Sequence, residues 1–470
     1  MLSQTWNTAL AREMGNCLAY DCIDLGVDIL LGPGVNIKRT PVAGRNFEYF
    51  SEDPYISGTF AAEYVRGVQE KHVGATVKHY CANNLEYCRH YVSSEPYMVM
   101  TSYNLVNGVR MSENARLIEV LRKDFGFDGV IVTDWEACKD AKKSIEAGTT
   151  MIFPFNAERE KELEEIAKEH SVSEETVDAA ARKIIALAER CESDKKLRKA
   201  EKSVEERIRV AEEIAEEGIV LLKNNGVLPL CKEQNVLFTG APCKVYYAGE
   251  GSSKVVPCGE YEGLDEEYKK SGGKAFYYRS TYFELMSPWM NRLCGADIPV
   301  CCKMAEGADV TVICAGNEPG TESEFYDRER MTLSQVEEQT IKDIAAHSAK
   351  TAVVLFAGAP IDMTAWIDCG DAVVWGGFGG QCSAKAVAAV LSGGVNPSGR
   401  LTETFPLHLG DVPAEQGYRD SFVIKYSEGL NVGYRYFERC GKPVLFPFGY
   451  GLSYSEFAYS DLFTEFSGGE

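Results

Sequence analysis

Three apolar runs in the first third of the chain end in residues that can do chemistry. One closes on Lys78-His79, one on Thr101-Ser102-Tyr103-Asn104, and Val130-Ile131-Val132 closes on Thr133-Asp134-Trp135. A buried strand has no use for a carboxylate, an imidazole or an ammonium at its end unless something there needs them. Singly, each has an ordinary reading: His79 as a hydrogen-bonded core histidine, Tyr103 as packing, Asp134 as a helix N-cap. Their recurrence at successive strand ends points to a shared site, because the carboxyl ends of barrel strands converge on one pocket. A second set lies far along the chain. GNEPGTESEFYDRERM (316–331) follows the run DVTVICA and carries Glu318, Glu322, Glu324 and Asp327. A solvated surface is the ordinary reading there, but ligands of open α/β sheets bind at that edge.

The loop KRTPVAGRNFEYFSEDPYIS (38–57) has no periodicity, and aperiodic loops of this length inside a compact domain are usually functional. Arg45 sits in it among aromatic and acidic residues, a set suited to gripping hydroxyls and stacking on a sugar face, or to an ion pair within the loop. GGFGGQ (376–381) fits neither G-x-G-x-x-G nor the Walker pattern, so nucleotide chemistry is rejected.

The elements that must position these residues alternate between short apolar runs and helical patterns, as in parallel sheets with crossover helices. Strands are expected at 27–37, 75–80, 97–103, 129–135 and 151–155, with helices over 57–72, 113–125 and 137–148. Two charged amphipathic helices follow, 158–170 and 173–191. The stretch ESDKKLRKAEKSVEE (192–206) reads as a linker between a first domain, 1–191, and a second, 207–410, in which the rhythm restarts. The tail, 411–470, reads as irregular loops packed on the domains. The fold class expected is α/β.

The chain has 470 residues, 45% of them hydrophobic, enough for two or three domains with large cores. A formal charge of −21 excludes nucleic acid and anionic membrane surfaces as partners and suits a neutral ligand. Sixteen cysteines are scattered without CxxC spacing, which argues for buried thiols in a reducing compartment and against a zinc site. No signal peptide or bilayer-spanning run is visible, so the expectation is a cytoplasmic protein with no membrane association.

The longest stretches resemble a known family. LGPGVNIKRTPVAGRNFEYFSEDP, VKHYCANNLEYCR, MTSYNLVNG and GFDGVIVTDW are similar to the barrel domain of glycoside hydrolase family 3. GIVLLKNNGVLPL, ESEFYDRERMTL, NPSGRLTETFP and VGYRYFERCGKPVLFPFGYGLSY are similar to its α/β-sandwich domain. KHYCANN looks like the β-glucosidase/β-xylosidase branch. The resemblance implies a (β/α)8 TIM-like barrel followed by a sandwich, no metal and no cofactor. It implies Asp134 as nucleophile and Glu324, in EFYDR, as acid/base, with Glu322 as the runner-up because Phe325 replaces the usual Gly. It assigns sugar contacts to Arg45, Lys78, His79, Arg89 and Tyr103, apolar walls to Met100 and Trp135, and a second-domain contribution to Ser252. The chemistry is consistent: a retaining glycosidase needs two carboxylates about 5 Å apart, one to attack and one to protonate.

Three departures stand out. SQTWNTALAREMG corresponds to family sequence after the first barrel strand, so the usual Asp-Gly-Pro…Arg segment has no counterpart. RHYVSSEPYM stands where relatives carry a longer stretch with a crossover helix. The chain stops after FAYSDL, where many relatives continue into a fibronectin-like domain. The barrel is therefore expected to be incomplete. The leading expectation is a retaining exo-β-glycosidase releasing glucose or xylose from a small oligosaccharide or an aryl or alkyl β-glycoside, with room for a homo-oligomer. The alternative is an impaired remnant that binds sugar or serves in an assembly; a phosphorylase is a third option.

Overall fold

The computed structural model describes residues 1–81, 95–279, 298–317, 320–324, 326–415, 424–456 and residues 458, 460, 463 and 464. Helix α1 (Thr8–Asp24) starts where the Asn7 side chain caps Ala9 N–H, and α2 (Pro54–Glu70) where Asp53 caps Ile56 N–H ahead of Pro54. The two lie against each other because both carry glycine at the crossing. A Cβ on Gly67 would stand 2.1 Å from Arg12 O, and one on Gly15 2.3 Å from Tyr64 O.

Strands β1 (Ile29–Leu30), β2 (Gly74–Tyr80), β3 (Met98–Thr101) and β6 (Val130–Thr133) form a parallel sheet in the order β1-β2-β3-β6. A small hairpin, β4 (Leu105–Val106) with β5 (Val109–Arg110), rises between β3 and β6. Strands parallel and adjacent in chain order, with helical crossovers from β1 to β2 and from β3 to β6, form an arc of a (β/α) barrel. The outer face packs Ala75, Val77, Val99 and Ile131 against Phe60, Val65 and Val68 of α2 and Ile118 and Leu121. The inner face holds Met98, Met100, Val130 and Val132, with Leu187 and Phe153 packed on them.

The expected strand at 151–155 is reduced to one bridge, Val132 to Met151; Pro154 has no N–H to continue a ladder. The segment 27–37 likewise pairs only at Ile29–Leu30 and through a bridge from Gly34 to Lys78. The helix expected over 113–125 divides into α3 (Ala115–Glu119) and a wider turn, Val120–Asp124. Next come α4 (Ala141–Glu146), α5 (Ala157–Lys168) and α6 (Glu174–Lys195). Helix α6 runs four residues into the expected linker, and α7 (Val204–Gly218) starts before its end, so only 196–203 is non-helical. Its contacts explain this. Tyr97 Oη donates to Asp194 at 2.5 Å and Lys195 pairs with Asp28 at 3.0 Å, which fastens α6 across the amino ends of the strands.

The second half is a six-stranded sheet: β7 (Val220–Asn224), β8 (Asn235–Thr239), β9 (Lys274–Tyr278), β10 (Val310–Gly316), β11 (Thr351–Phe356) and β12 (Ala372–Trp375), ordered β7-β12-β11-β10-β8-β9. Only β7 runs antiparallel. Alternate residues feed two cores. Val312, Val354 and Val374 face one side; Ile313, Val353 and Val373 face the other. Both faces are buried, which is why these strands read as unbroken apolar runs. The tail is more regular than its composition suggests, with a helix at Tyr434–Cys440 and β14 (Val444–Phe446) pairing with β13 (Phe405–Pro406). The fold is thus α/β, an incomplete TIM-like barrel followed by an α/β sandwich. Among the described residues no helix is long and apolar enough to cross a membrane, and all fourteen described cysteines are free thiols.

Replacing Gly67 by Ala is expected to push α1 off α2 and cost about 1–3 kcal/mol. A urea melt checks it: the midpoint falls with an unchanged slope.

Candidate active site

The ladder of the parallel sheet sets three strand ends at one level. Lys78 pairs with Met100 and Tyr80 with Thr101, while Met100 pairs with Val132 and Thr101 with Thr133. Asp134 N–H donates to Thr101 O at 3.2 Å, so Asp134 emerges beside the chain leaving β3. It is 7% exposed. Its Oδ1 accepts Trp135 N–H at 2.7 Å, and Oδ2 faces His79 Nε2 at 3.5 Å.

His79 is buried, and its Nδ1 lies 3.2 Å from Asn36 Oδ1, which also accepts His79 N–H at 3.0 Å. Burial, then the cations Arg45 and Lys78, hold the imidazole well below its ordinary value. A neutral ring has one N–H for two facing acceptors, so either the Asn36 or the Asp134 contact lacks a hydrogen. Burial also pushes the Lys78 ammonium down, against the pull of Glu48, Asp134 and Glu324.

Arg45 enters from the loop between β1 and α2. Its Nε pairs with Glu48 and its Nη1 with Glu324 Oε1 at 3.2 Å. Glu324 comes from the acidic loop after β10, and its Oε2 accepts Ser252 N–H at 2.7 Å. The second half is locked onto the first here: Gly44 N–H donates to Asp327 Oδ1 at 2.8 Å, and Arg328 N–H to Val42 O at 2.8 Å.

The two carboxylates answer this field differently. Desolvation lifts Asp134 above the usual range, opposed by Trp135 N–H, Arg45, the nearby Tyr103 hydroxyl and Lys78. Glu324 is desolvated too, but Ser252, Arg45 and Lys78 outweigh that and hold it below its ordinary value. Burial and the Asp134 carboxylate in turn raise the Tyr103 phenol. Two buried atoms of the group make no hydrogen bond, Arg45 Nη2 and Asp134 Oδ2. One is a donor and the other an acceptor, the complement of a hydroxyl.

The structure thus brings together Arg45, Lys78, His79, Tyr103, Asp134 and Glu324. Met100 is buried on the inner face. Trp135 is exposed and stands against Phe153 at 6.0 Å between ring centres. Ser252 contributes through its backbone. Arg89, Glu318 and Phe325 lie outside the described residues. Glu322 points elsewhere: fully buried in the second half, it accepts Gly358 N–H at 2.9 Å, and desolvation raises its carboxyl. The acids Glu52 and Asp53 of the loop bind the sandwich instead of lining the site. Glu52 accepts Thr404 N–H and Tyr434 N–H, each at 2.8 Å, and Asp53 pairs with Arg435 at 2.6 Å.

Three participants were not singled out from sequence: Glu48, Asn36 and Gly44. Glu48 stands three residues from Arg45, the spacing of a local ion pair, and that was the available signal. Asn36 and Gly44 gave none. Among the described residues no cluster of three or more His, Cys, Asp or Glu is placed to hold a metal ion.

Residues 1–86 and 89–187 match the glycosyl hydrolase family 3 N terminal domain, and residues 219–454 its C-terminal domain. The chain belongs to glycoside hydrolase family 3. Within that family it is 37% identical to thermostable beta-glucosidase B of Acetivibrio thermocellus, over 98% of this chain and 64% of the relative. It is 32% identical to an exo-alpha-(1->6)-L-arabinopyranosidase of Bifidobacterium longum, over 97% of this chain and 64% of that one. It therefore spans 64% of the length of each of these two curated relatives. Beta-glucosidase 3B from Thermotoga neapolitana, solved in complex with alpha-D-glucose, superposes with a TM-score of 0.88 at 32% identity, over 100% of this chain and 73% of that one.

Gly44 is one of the points where the two family 3 domains touch. A Cβ there would lie 1.9 Å from Tyr326 O and 2.3 Å from Ser323 O. Gly44→Ala is expected to force the acidic loop off the barrel and cost about 1–3 kcal/mol. Calorimetry checks it: the wild type should melt in one transition, and the variant at lower temperature with the halves beginning to separate.

Proposed function

We propose that this chain is a retaining exo-β-glycosidase with Asp134 as nucleophile and Glu324 as acid/base. The observation that carries the reading is that Arg45 acts on a carboxylate from each half at once: it pairs with Glu324 at 3.2 Å and pulls on Asp134. Two carboxyls in one cation's field, with an unpaired donor and acceptor between the strands, suit a sugar ring whose anomeric carbon faces Asp134. Asp134 attacks that carbon, the glycosidic oxygen takes a proton from Glu324, and a covalent glycosyl-enzyme forms. The protonated alcohol leaves; water then attacks the same carbon, giving a proton to Glu324, and the bond to Asp134 breaks to release the sugar. Lys78, His79 and Arg45 would hold hydroxyls, and Trp135 and Tyr103 would flank the ring. Curated relatives named for β-glucosidase and arabinopyranosidase activity support a small pyranoside as substrate; glucose against xylose is left to the assay.

Without substrate the field works against the first step, since the attacking carboxyl is raised by desolvation and the proton donor lowered by Ser252 and Arg45. A hydroxyl that draws Arg45 away from Glu324 would release the lowered carboxyl toward its ordinary value, so binding itself prepares the acid. The sign for kcat/KM follows. Asp134 must be ionised, so activity is lost as pH falls through its raised value. Glu324 must be protonated, so activity is lost as pH rises through its lowered value. The profile is expected to be a narrow bell on the acid side, and Arg45→Met to move its alkaline limb upward while raising KM.

Purified protein is expected to release nitrophenol from aryl β-glucoside or β-xyloside, and Asp134→Ala to lose more than about a thousandfold. Glu324→Gln separates the acid/base candidates. It should cost about 10²–10⁴-fold on an alkyl glycoside, which needs a proton, and far less on a nitrophenyl glycoside, which does not. If Glu322→Gln gives that split instead, the acid assignment is wrong. The second reading is an impaired sugar-binding remnant, favoured by the short arc of paired parallel strands. A monodisperse, folded sample that binds glucose without turnover would establish it.

A further inference from the structure

The sandwich domain has a cavity of its own. About 180 Å³ in volume, it is lined by Val255, Val256, Pro257 and Phe378 with Tyr246, around Asn317 and Glu322, and its wall also carries Glu250 and Lys254, paired with each other at 2.8 Å. Among the described residues none of the barrel lines it. Strand order explains its position: from β8 the chain moves outward to β9, then returns past β8 to β10, β11 and β12. The sheet therefore reverses direction between β8 and β10, and crevices outside the carboxyl ends of strands at such a reversal are where open α/β sheets bind ligands. Tyr246 follows β8 and Asn317 follows β10, so the cavity opens at that point.

Its polar floor is incomplete. Asn317 is 9% exposed, and its Nδ2 makes no hydrogen bond, although the amide faces the Glu322 carboxyl. Such a donor, itself buried at the edge of a cavity, is a place for an acceptor oxygen. The cavity is separate from the site at Asp134. Phe47 stands between them, its ring 6.4 Å from that of Phe378 and close against Gly249. The segment dividing them is pinned by Glu250 N–H to Glu322 O at 2.9 Å and Glu324 N–H to Glu250 O at 3.2 Å.

We propose that this cavity binds a small neutral ligand made of one aromatic ring bearing one hydroxyl, a phenol, with its oxygen between Asn317 and Glu322. The volume is below the roughly 300–1,000 Å³ of sites for larger ligands. Asn317 and Glu322 converge on one hydroxyl, while the Glu250–Lys254 pair is satisfied within itself at 2.8 Å. The same loop that walls the cavity at Val255, Val256 and Pro257 holds Glu324 through Ser252, so occupancy is coupled to the position of that carboxylate. The binding claim rests on sheet topology and lining, and stands whether or not the chain turns over a glycoside.

The test is titration of the full chain with 4-methylphenol, followed by saturation-transfer NMR. Saturable binding is expected, weakened at least tenfold in Asn317→Leu and unchanged in Asp134→Asn. Val256 is 80% exposed, so Val256→Asp leaves the core untouched while placing a charge at the mouth; it should weaken binding too. Absence of saturable binding would overturn the proposal. So would equal binding by wild type and both cavity variants, or loss in Trp135→Ala with retention in Asn317→Leu, which would place the phenol in the main cleft.

Discussion

A guanidinium taken out of water must find carboxylates, and Arg45 finds one in its own loop and one in the other half of the chain. Removing both partners would leave a buried charge uncompensated, a cost of about 3–5 kcal/mol. That requirement, more than apolar contact, fixes how the acidic loop after β10 approaches the barrel. The tight meeting of Gly44 with Tyr326 and Ser323 has the same consequence: no side chain fits there because the loops must close far enough for Arg45 to reach Glu324. Once they do, Asp134 and Lys78 fall within the same field.

Counted together, Arg45 and Lys78 face Glu48, Asp134 and Glu324, with His79 neutral. The carboxylates outnumber the cations by one, and their environments differ: Asp134 accepts Trp135 N–H beside the Tyr103 hydroxyl and is raised by desolvation, whereas Glu324 holds Arg45 and Ser252 and is lowered. The unliganded arrangement is therefore poised for a ligand with several hydroxyls, which can donate to Asp134 and accept from Arg45 in one step. Pre-organised donors and acceptors of this kind are the usual source of transition-state stabilisation in a buried site.

The loop between β1 and α2 does two jobs with one composition. Arg45 and Glu48 face the site; Glu52 and Asp53, a few residues on, bind the sandwich and the helix at 434–440. Sequence alone presents these acids as equivalent. Their division arises because the 3₁₀ turn at Asn46–Glu48 reverses the chain, turning the first pair inward and the second toward Thr404 and Arg435. Helix α6 is a similar case. Its charged surface reads as solvated, yet Asp194 and Lys195 are what hold it across the amino ends of the barrel strands.

What the sequence determined by itself was the rhythm of strands and helices, the α/β class, and the strand-end residues Lys78, His79, Tyr103 and Asp134. Those follow from local periodicity and from the fact that side chains at the carboxyl ends of parallel strands converge. Short or half-exposed elements escaped it: β9, with its partly buried KAFYY, the helix at 434–440, and α1, whose start depends on a cap. Only the tertiary structure decided which carboxylate of the second half meets the first. Glu322 and Glu324 are two residues apart on one loop, and nothing local separates them. Pairing of Ser323 with Glu250 sends Glu324 toward Arg45 and leaves Glu322 buried against Gly358. Asn36 and Gly44 became legible for the same reason, since their roles are contacts across long sequence separation, which no window of sequence contains; Glu48, three residues from Arg45, was within reach of a local reading.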